Sequence, residues 1–228
     1  MPRAGKGGRY HHGDLRAALI DTAVELIGER GVRNFSLAEA SRRLGVAVSA
    51  PYAHFTDRDD LLAAVAVRAY QLFVAQLLPD AESDQQPGAR LVAMAAAYIR
   101  FAAAQRPLFE VLYDAGLDRA RHPELEVAQK PIDDAFLTCV TALTGTGGGS
   151  RAGSLGGAGG EGSAAGPWGP GGPARDLAIA LEATARGHAV FLLDGSFGRG
   201  AAAVDQAAQR AARATQALIE SRHLLSPA

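Results

Sequence analysis

Apolar side chains at the start of the chain recur every three or four residues, which is the period of a helix with one buried face. The run includes Leu15, Leu19, Ala23, Leu26 and Ile27. Charged residues fill many of the positions in between, and a glycine at position 31 ends the run. The pattern predicts an amphipathic first helix that serves as scaffold.

The stretch from residue 36 to 55 has the pattern of two short helices joined by a turn. Ser36 and Glu39 have the spacing of a capping box, in which each side chain bonds a backbone N–H at the start of a helix. The helix that begins at Leu37 should end at Gly45, because glycine tolerates the positive φ of a tight reversal. A helix-turn-helix is therefore predicted.

The second helix of this motif should be about two turns long. It cannot begin much before Val48, because Pro51 lacks an N–H and is tolerated only in a first turn. Phe55 should point inward. Thr56 and Asp59 repeat the capping-box spacing, which predicts that the next helix opens at position 57.

The outward side chains of this second helix suit a DNA groove. Val48, Ser49 and Ala50 are small enough for the backbone to approach base edges, and apolar side chains can touch a thymine methyl group. Tyr52 and His54 lie further along and suit phosphate oxygens. The motif is therefore predicted to bind double-stranded DNA.

Several motifs between residues 10 and 62 together resemble the DNA-binding domain of TetR-family transcriptional regulators. They are His-His-Gly-Asp-Leu-Arg at 11–16, Leu-Gly-Val at 44–46, Ala-Pro-Tyr at 50–52, His-Phe at 54–55 and Asp-Arg-Asp-Asp-Leu-Leu at 57–62. The resemblance implies a TetR-like, all-α fold with an amino-terminal helix-turn-helix domain and a carboxy-terminal helical ligand-binding and dimerisation domain. It also implies DNA contacts from Ser36, Ala47, Val48, Ser49, Ala50, Tyr52, His54 and Arg58.

From residue 57 onward helical patterns predominate, and alternating stretches typical of strands are almost absent, which indicates an all-α protein. Helices are predicted over residues 57–78, 89–104, 107–116, 123–143, 175–194 and 201–222. Pro131 either kinks the fourth of these or marks its true beginning. The predicted domains are a flexible basic arm at 1–12, the helix-turn-helix domain at 13–56 and a regulatory and dimerisation domain at 57–228.

Residues 145–173 differ in composition, since they are rich in glycine with alanine, serine and proline and have no period. Such a segment is predicted to be a flexible insert. The letters Gly-Ala-Gly-Gly-Glu-Gly at 157–162 match a dinucleotide fingerprint, but no strand precedes them, so we interpret the match as chance. Trp168, the only tryptophan, has no assigned role.

Charge is almost balanced, with 23 Lys and Arg against 24 Asp and Glu, which argues against binding of nucleic acid by bulk electrostatics. The first 20 residues nevertheless carry a net charge of +3. This arm either enters a DNA minor groove or is a solubilising tail, and the sequence favours neither. The adjacent His11 and His12 would point about 100° apart on a helix, and neither a metal site nor a cofactor is expected.

Nothing in the sequence indicates export or a membrane partner. No uninterrupted apolar run is long enough to span a bilayer, and the basic amino terminus lacks the apolar segment of a secretory signal. The single cysteine, Cys139, rules out an internal disulfide framework. A cytoplasmic protein of 228 residues is expected, with an apolar fraction of 48% that permits two cores.

The last two predicted helices carry apolar or small side chains along one face. Helices of this kind pack closely and can form a four-helix interface with a second copy, as the last helices of TetR-family proteins usually do. The expected homodimer interface consists of Leu177, Leu181, Val204, Ala208, Ala211, Thr215, Leu218 and Ile219. The segment at 188–195 also resembles the carboxy-terminal type named for a Trp-His-Gly signature.

Large side chains lie on the helices that should enclose the core of the second domain. A pocket between them would be largely apolar with a few polar tips, which suits an apolar small-molecule effector. The candidates are Tyr70, Phe73, Met94, Tyr98, Phe101, Phe109, Tyr113, Phe136 and His188. Ordinary core packing is the alternative role for each of them.

A homodimer would present paired recognition helices to half-sites about one helical turn, ~34 Å, apart or a multiple of it. The expected function is therefore a sequence-specific, ligand-responsive transcriptional repressor on a near-palindromic operator. The alternative is a dimeric interaction or small-molecule-binding module with little DNA binding. The balanced charge favours that alternative, as does Ala53, which stands where many TetR-family members have an aromatic residue.

An enzyme is not expected. His188, Asp194 and Ser196 are the residue types of a hydrolase catalytic triad. The sequence, however, has no Gly-x-Ser-x-Gly turn to present a serine nucleophile.

Overall fold

The computed structural model describes residues 12–78, 86–145 and 172–225, with side chains from Leu15 onward. Within these ranges the chain forms eight α-helices, three short 3₁₀ turns and no strand, which confirms the all-α prediction. The basic arm, the His11 and His12 side chains, most of the glycine-rich insert and Trp168 lie outside the described residues. The expectations for them stay predictions.

Each of the predicted long helices is present, with bounds within a few residues of those expected. The helices are α1 (His12–Arg30), α2 (Leu37–Leu44), α3 (Arg58–Leu77), α4 (Pro87–Ala104), α5 (Arg106–Asp114), α6 (Glu124–Thr144), α7 (Pro173–Leu193) and α8 (Ala201–Glu220). Helix α6 continues through Pro131, so the proline does not mark its beginning. At this position the helix lacks the hydrogen bond that the proline nitrogen cannot donate.

Helix α1 buries its predicted apolar face against α2 and α3. Leu19, Leu26 and Ile27 are almost completely shielded from solvent. The predicted scaffold role is therefore confirmed.

Helix α3 connects the two halves of the molecule. It packs on α1 on one side and on α4, α5 and α6 on the other. Leu61, Leu62 and Val65 are fully buried along it. Of the described helices, only α3 is long and apolar enough to cross a membrane, but these apolar side chains are already packed in the protein core.

Helix α5 brings the second half of the chain directly against α1. Gly28 of α1 faces Pro107 at the start of α5, and a Cβ added at Gly28 would lie 3.1 Å from the proline Cγ. This contact leaves little space for a larger residue. The helix-turn-helix is thus supported by both α3 and α5.

The packing of α8 corrects the predicted dimer interface. The apolar faces of α7 and α8 are used within the protomer, where α8 lies along α4 and against α7. Six of the eight predicted interface residues are buried there: Leu177, Leu181, Ala208, Ala211, Thr215 and Ile219. Only Val204 and Leu218 keep partial exposure, so the face chosen from the sequence is not available to a second copy.

Candidate DNA interface and ligand cavity

The first helix of the motif is capped as its sequence predicts, but by only half of the capping box. The Ser36 hydroxyl accepts a hydrogen bond from the backbone N–H of Glu39 at 3.3 Å. The Glu39 carboxylate pairs with Arg30 of α1 instead of returning to the cap. Gly45 ends the helix with a φ of 68°, the left-handed conformation expected of it.

The predicted second helix of about two turns is wrong. Residues 47–54, here called the recognition segment, contain only a 3₁₀ turn at Ala50–Ala53. Its N–H groups bond carbonyls three residues back, as from His54 to Pro51 at 2.9 Å. Pro51 has no N–H to give to the fourth residue back, and Phe55 is already buried in the core, so too little chain remains for an α-helix.

The recognition segment exposes most of the side chains predicted to face DNA. Val48 is 53% exposed and Tyr52 is 57% exposed. Ala47 and Ser49 are also exposed, whereas Ala50 is half-buried. Four of the predicted contacts thus project from the body of the protein, as a groove-binding element requires.

His54 and Ser36 are less accessible than predicted. Both side chains are half-buried, and the Nε2 atom of His54 is enclosed without a hydrogen-bond partner among the described residues. His54 lines a groove between α1 and α3 together with Arg16 and Arg68. The DNA contacts expected of His54 and Ser36 stay predictions.

Arg58, a predicted phosphate contact, is engaged inside the protein. Its Nη2 donates to the Val32 carbonyl at 2.7 Å and its Nε to the Phe35 carbonyl at 3.1 Å, while Nη1 pairs with Asp59 at 3.0 Å. In this conformation Arg58 fixes the loop that precedes Ser36. A phosphate would have to replace one of these partners.

The start of α3 is capped one residue later than the sequence predicts. Asp57 is the cap and accepts from the N–H groups of Asp59 and Asp60 at 2.9 and 3.0 Å, while Asp60 accepts from the Thr56 N–H at 2.8 Å. Arg121, from the loop before α6, donates to Asp57 at 2.6 Å. These hydrogen bonds hold the pKa of each carboxyl below its usual value, with Arg121 the largest cause for Asp57 and Thr56 for Asp60.

A cavity lies inside the second half of the chain and takes residues from α3, α4, α5, α6, α7 and α8. The cavity is narrow, with a volume of about 70 Å³. Six predicted pocket residues line it: Tyr70, Phe73, Met94, Tyr98, Tyr113 and Phe136. Sequence reasoning missed the rest of the wall: Leu77, Leu91, Ala95, Gln129, Ile132, Leu181, Glu182, Ala185 and Thr215.

Three predicted pocket residues do not line the cavity. Phe101 is fully buried and packs on Phe73 with ring centroids 4.5 Å apart. Phe109 packs on the Tyr98 ring at 5.6 Å. His188 contacts Phe197, with ring centroids 5.8 Å apart, one to two turns beyond the cavity along α7. Phe101 and Phe109 therefore serve core packing, whereas His188 is only half-buried.

The three candidate triad residues, His188, Asp194 and Ser196, do not form a hydrogen-bonded catalytic triad. The Nδ1 atom of His188 pairs with the Thr184 carbonyl at 2.8 Å, and the Asp194 carboxylate accepts from the backbone N–H of Ser196 at 2.8 Å. Among the described residues there is also no group of three His, Cys, Asp or Glu side chains placed to hold a metal ion.

Two hydroxyl groups in the cavity wall are buried without a well-oriented hydrogen-bond partner in the described part of the chain, although that of Tyr98 interacts with the Tyr113 hydroxyl. They belong to Tyr98 of α4 and Thr215 of α8. Burial raises the pKa of Tyr70 to about 12 and the pKa values of Tyr98 and Tyr113 well above the usual range. All three phenols are therefore neutral near pH 7.

Glu182 is the residue of the cavity that the sequence analysis overlooked and that changes its chemistry most. It follows Leu181 at the edge of the apolar face of α7, and this position is the feature of the sequence from which its place in the cavity wall could have been predicted. Burial raises the pKa of Glu182 to about 7, Arg186 opposes the shift, and Asp133 adds to it. An otherwise apolar cavity thus contains one carboxyl group near its titration midpoint at neutral pH.

The exposed face of α7 carries a stripe of apolar side chains around one arginine. Ile179, Ala183, Val190 and Phe191 are exposed along this stripe, at the i, i+4, i+11 and i+12 positions, and the charged Arg186 is exposed among them at i+7. Gly187 lies within this stripe, and a Cβ added to it would meet no atom within 4 Å. The surface is therefore flat and open at its middle.

A capped helix-turn-helix, joined by one long helix to an all-helical domain with an internal cavity, defines a DNA-binding regulator. Residues 19–65 match the family model described as bacterial regulatory proteins, tetR family, and residues 91–215 match the tetracyclin repressor-like C-terminal domain. The chain belongs to the TetR family. The match does not confirm the Trp-His-Gly subtype, which stays a prediction.

Solved structures share this fold over almost the whole chain. A protein of unknown function from Rhodococcus sp. RHA1 is 27% identical, with 92% of this chain and 97% of that chain covered and a TM-score of 0.66. A tetR-family regulatory protein from Rhodococcus RHA1 is 14% identical, with 90% and 96% covered and a TM-score of 0.62. AibR in complex with isovaleryl coenzyme A and operator DNA is 17% identical, with 86% and 95% covered and a TM-score of 0.60. No curated protein matches the sequence.

Replacing Glu182 by Gln should stabilise the protein near pH 8 and change its stability little near pH 5. Its pKa is raised from 4.5 to about 7 on folding, so the folded state opposes ionisation, and this penalty grows as the pH rises between those values. Because the side chain is partly solvated, we expect a gain of about 1–3 kcal/mol in the free energy of unfolding near pH 8. Urea denaturation at both pH values measures it.

Glu126→Gln is the matched control, since Glu126 is exposed on α6. It should leave stability nearly unchanged at both pH values. An equal effect of the Glu182 variant at the two pH values would contradict the assigned pKa.

Proposed function

We propose that this protein is a sequence-specific, ligand-responsive repressor that acts as a homodimer on a near-palindromic operator. The observation that carries the proposal is the recognition segment, which a capped helix-turn-helix holds away from the core with its small and aromatic side chains exposed. Val48 offers a methyl-sized apolar contact to thymine, and Tyr52 offers a hydroxyl to a phosphate. Ala47, Ser49 and Ala50 let the backbone come close to base edges.

Tyr52→Phe should weaken binding to all operator variants alike, by about fivefold, because one hydrogen bond to a phosphate contributes about 1 kcal/mol. Ser49→Val should instead change which bases are preferred, since it alters the surface beside the base edges. The measurement is selection of bound duplexes from a random pool, followed by affinities for the enriched sequence and its single-base variants. Gln206→Ala on the exposed face of α8 is the control.

A wild-type selection that enriches no two-fold sequence would contradict the proposal and favour the interaction module. That alternative has support in the structure, because the recognition segment contains no Lys or Arg and the donors of Arg58 are already engaged. Salt-dependent, sequence-selective retention on DNA upstream of the protein's own gene distinguishes the two functions.

The exposed stripe of α7 is the surface that we propose for the homodimer, in place of the buried face predicted from the sequence. Val190 and Phe191 are 48% and 53% exposed, which is high for large apolar side chains on a packed helix. Ala183 and Gly187 between the larger side chains allow a second helix to approach closely. A two-fold axis across α7 would bury this stripe against its own copy.

Val190→Asp should convert the dimer to a monomer at micromolar concentration, because an unpaired carboxylate would be buried at the interface. Operator affinity should fall with it, since the two recognition segments would no longer be linked. Val127→Asp makes the same change at a side chain of α6 that is 74% exposed, and it should leave the dimer intact. Analytical ultracentrifugation measures both, and a dimer that persists in the Val190 variant would reject this surface.

One loop connects the cavity with the end of the helix-turn-helix. Arg119 donates to the Tyr70 hydroxyl at 3.5 Å and to Gln129, both in the cavity wall. Arg121, two residues further on, donates to Asp57 at the start of α3. A ligand that moves Tyr70 or Gln129 would therefore act through this loop on the helix that follows the recognition segment. The similar AibR structure contains the two kinds of partner proposed here, a small molecule and operator DNA.

Arg121→Gln should leave operator affinity within about threefold of the wild type but reduce the effect of ligand on it. Allosteric coupling in such proteins is typically about 1–3 kcal/mol, and removing the ion pair to Asp57 should abolish a large part of it. Operator affinity is measured with and without a compound that raises the melting temperature of the wild type. Lys130→Gln, which breaks a surface pair within α6, is the control. An unchanged ligand response in the Arg121 variant would exclude this route.

A further inference from the structure

The cavity presents hydrogen-bond acceptors that nothing in the described structure satisfies. The Glu182 carboxylate has no hydrogen bond or ion pair within the described residues, although it lies in a mostly apolar wall. The buried Thr215 hydroxyl also lacks a partner there, and the buried Tyr98 hydroxyl has only the Tyr113 hydroxyl beside it, without a well-oriented hydrogen bond. The described lining residues include no Lys, Arg or His. A buried acceptor set of this kind costs stability until a donor arrives.

The remainder of the wall suits a positive charge on an apolar body. The aromatic rings of Phe73, Tyr98 and Tyr113 lie in the same wall, and a cation within about 6 Å of such a ring is attracted by its face. This attraction is already used at the edge of the site, where the Arg186 guanidinium lies 4.2 Å from the centre of the Tyr113 ring. Leu, Met and Ile side chains supply the apolar surface for the rest of a ligand.

We propose that the cavity binds an organic cation, namely a primary or secondary ammonium group on an apolar body, with the ammonium N–H groups donating to Glu182. The Tyr98 and Thr215 hydroxyls are further acceptors for the same group. This inference rests on the proposed ligand-responsive function and adds the chemical class of the ligand. An anionic ligand would place its charge against that of Glu182, and a neutral one would leave the carboxylate unpaired.

The pH dependence follows from the groups that face Glu182 on each neighbouring helix. These groups are Tyr70 of α3, Tyr98 of α4, Tyr113 of α5, Asp133 of α6 and Arg186 of α7, while α8 contributes the non-titrating Thr215. Arg119, from the loop before α6, contacts Tyr70 and Gln129 in the same wall and stays positively charged throughout this pH range. The three phenols are neutral at physiological pH, since the ordinary pKa of tyrosine is about 10 and burial raises it further. Between about pH 6 and pH 8 the titrating group of the cavity is therefore Glu182, with a pKa of about 7.

Three probes of similar size and different charge test the proposal: hexylammonium, 1-hexanol and hexanoate. Binding to the full-length protein without DNA is measured by titration calorimetry. Hexylammonium should bind at least about tenfold more tightly than the other two, since it alone pairs with the carboxylate. Its affinity should also rise about tenfold between roughly pH 6 and pH 8, because the amine stays protonated with a pKa of about 10.4 while Glu182 ionises.

Glu182→Gln should remove this preference and its pH dependence, and it should leave the weak binding of 1-hexanol unchanged. The matched control, Glu126→Gln, removes an exposed carboxylate from α6 and should bind all three probes as the wild type does. Tighter binding of hexanoate or 1-hexanol to the wild type, or retained cation preference in the Glu182 variant, overturns the proposal. If the variant does not fold, the probe series and the pH series on the wild type decide the question alone.

Operator binding is measured separately, so that failure of the two proposals can be distinguished. Cation binding at Glu182 without any change in operator affinity would support this site and reject ligand control of DNA binding. Normal operator binding with no preference for hexylammonium would reject the cation site and leave the DNA-binding function intact.

Discussion

The fixed position of α3 is the constraint on which both halves of the molecule depend. Its first turn is held from two sides, by Arg58 on the carbonyls of Val32 and Phe35 and by Arg121 on Asp57. The recognition segment ends just before this turn. The cavity residue Tyr70 lies on the same helix, about 18 Å further along at 1.5 Å per residue. One rigid element therefore carries the DNA-facing end and part of the cavity wall.

Local periodicity made the helices predictable from the sequence, because each one depends on apolar spacing, a cap or a glycine within a few residues. Gly45 and Ser36 behave as their local chemistry requires. The cap of α3 was misplaced by one residue because Thr56, Asp57, Asp59 and Asp60 offer competing acceptors over five positions. The choice depends on Arg121, which is distant in sequence. The recognition segment is likewise short because Phe55, directly after it, is buried in the core.

A sequence pattern also does not show whether an apolar helix face packs within its own chain or against a second copy. The small-residue face of α8 has the composition of an interface between copies, yet it packs on α4 of the same chain, where Gly88 admits Ile219. The stripe that remains open, on α7, was less visible because Ala183, Arg186 and Gly187 interrupt it. The same reason explains the cavity: six aromatic or large residues were found, but Glu182 and Thr215 depend on how α7 and α8 turn toward it.

The unpaired acceptors of the cavity connect binding with the rest of the fold. A core filled with apolar side chains would be more stable than one that holds the Glu182 carboxylate and two hydroxyls without well-oriented partners. A ligand that supplies the missing donors removes this penalty only in the conformation that closes around it. The stabilisation gained on binding is then available to shift the position of Tyr70 and the Arg119–Arg121 loop, and with them the start of α3. The feature that weakens the free protein is thus the one through which a bound molecule can act on the recognition segment.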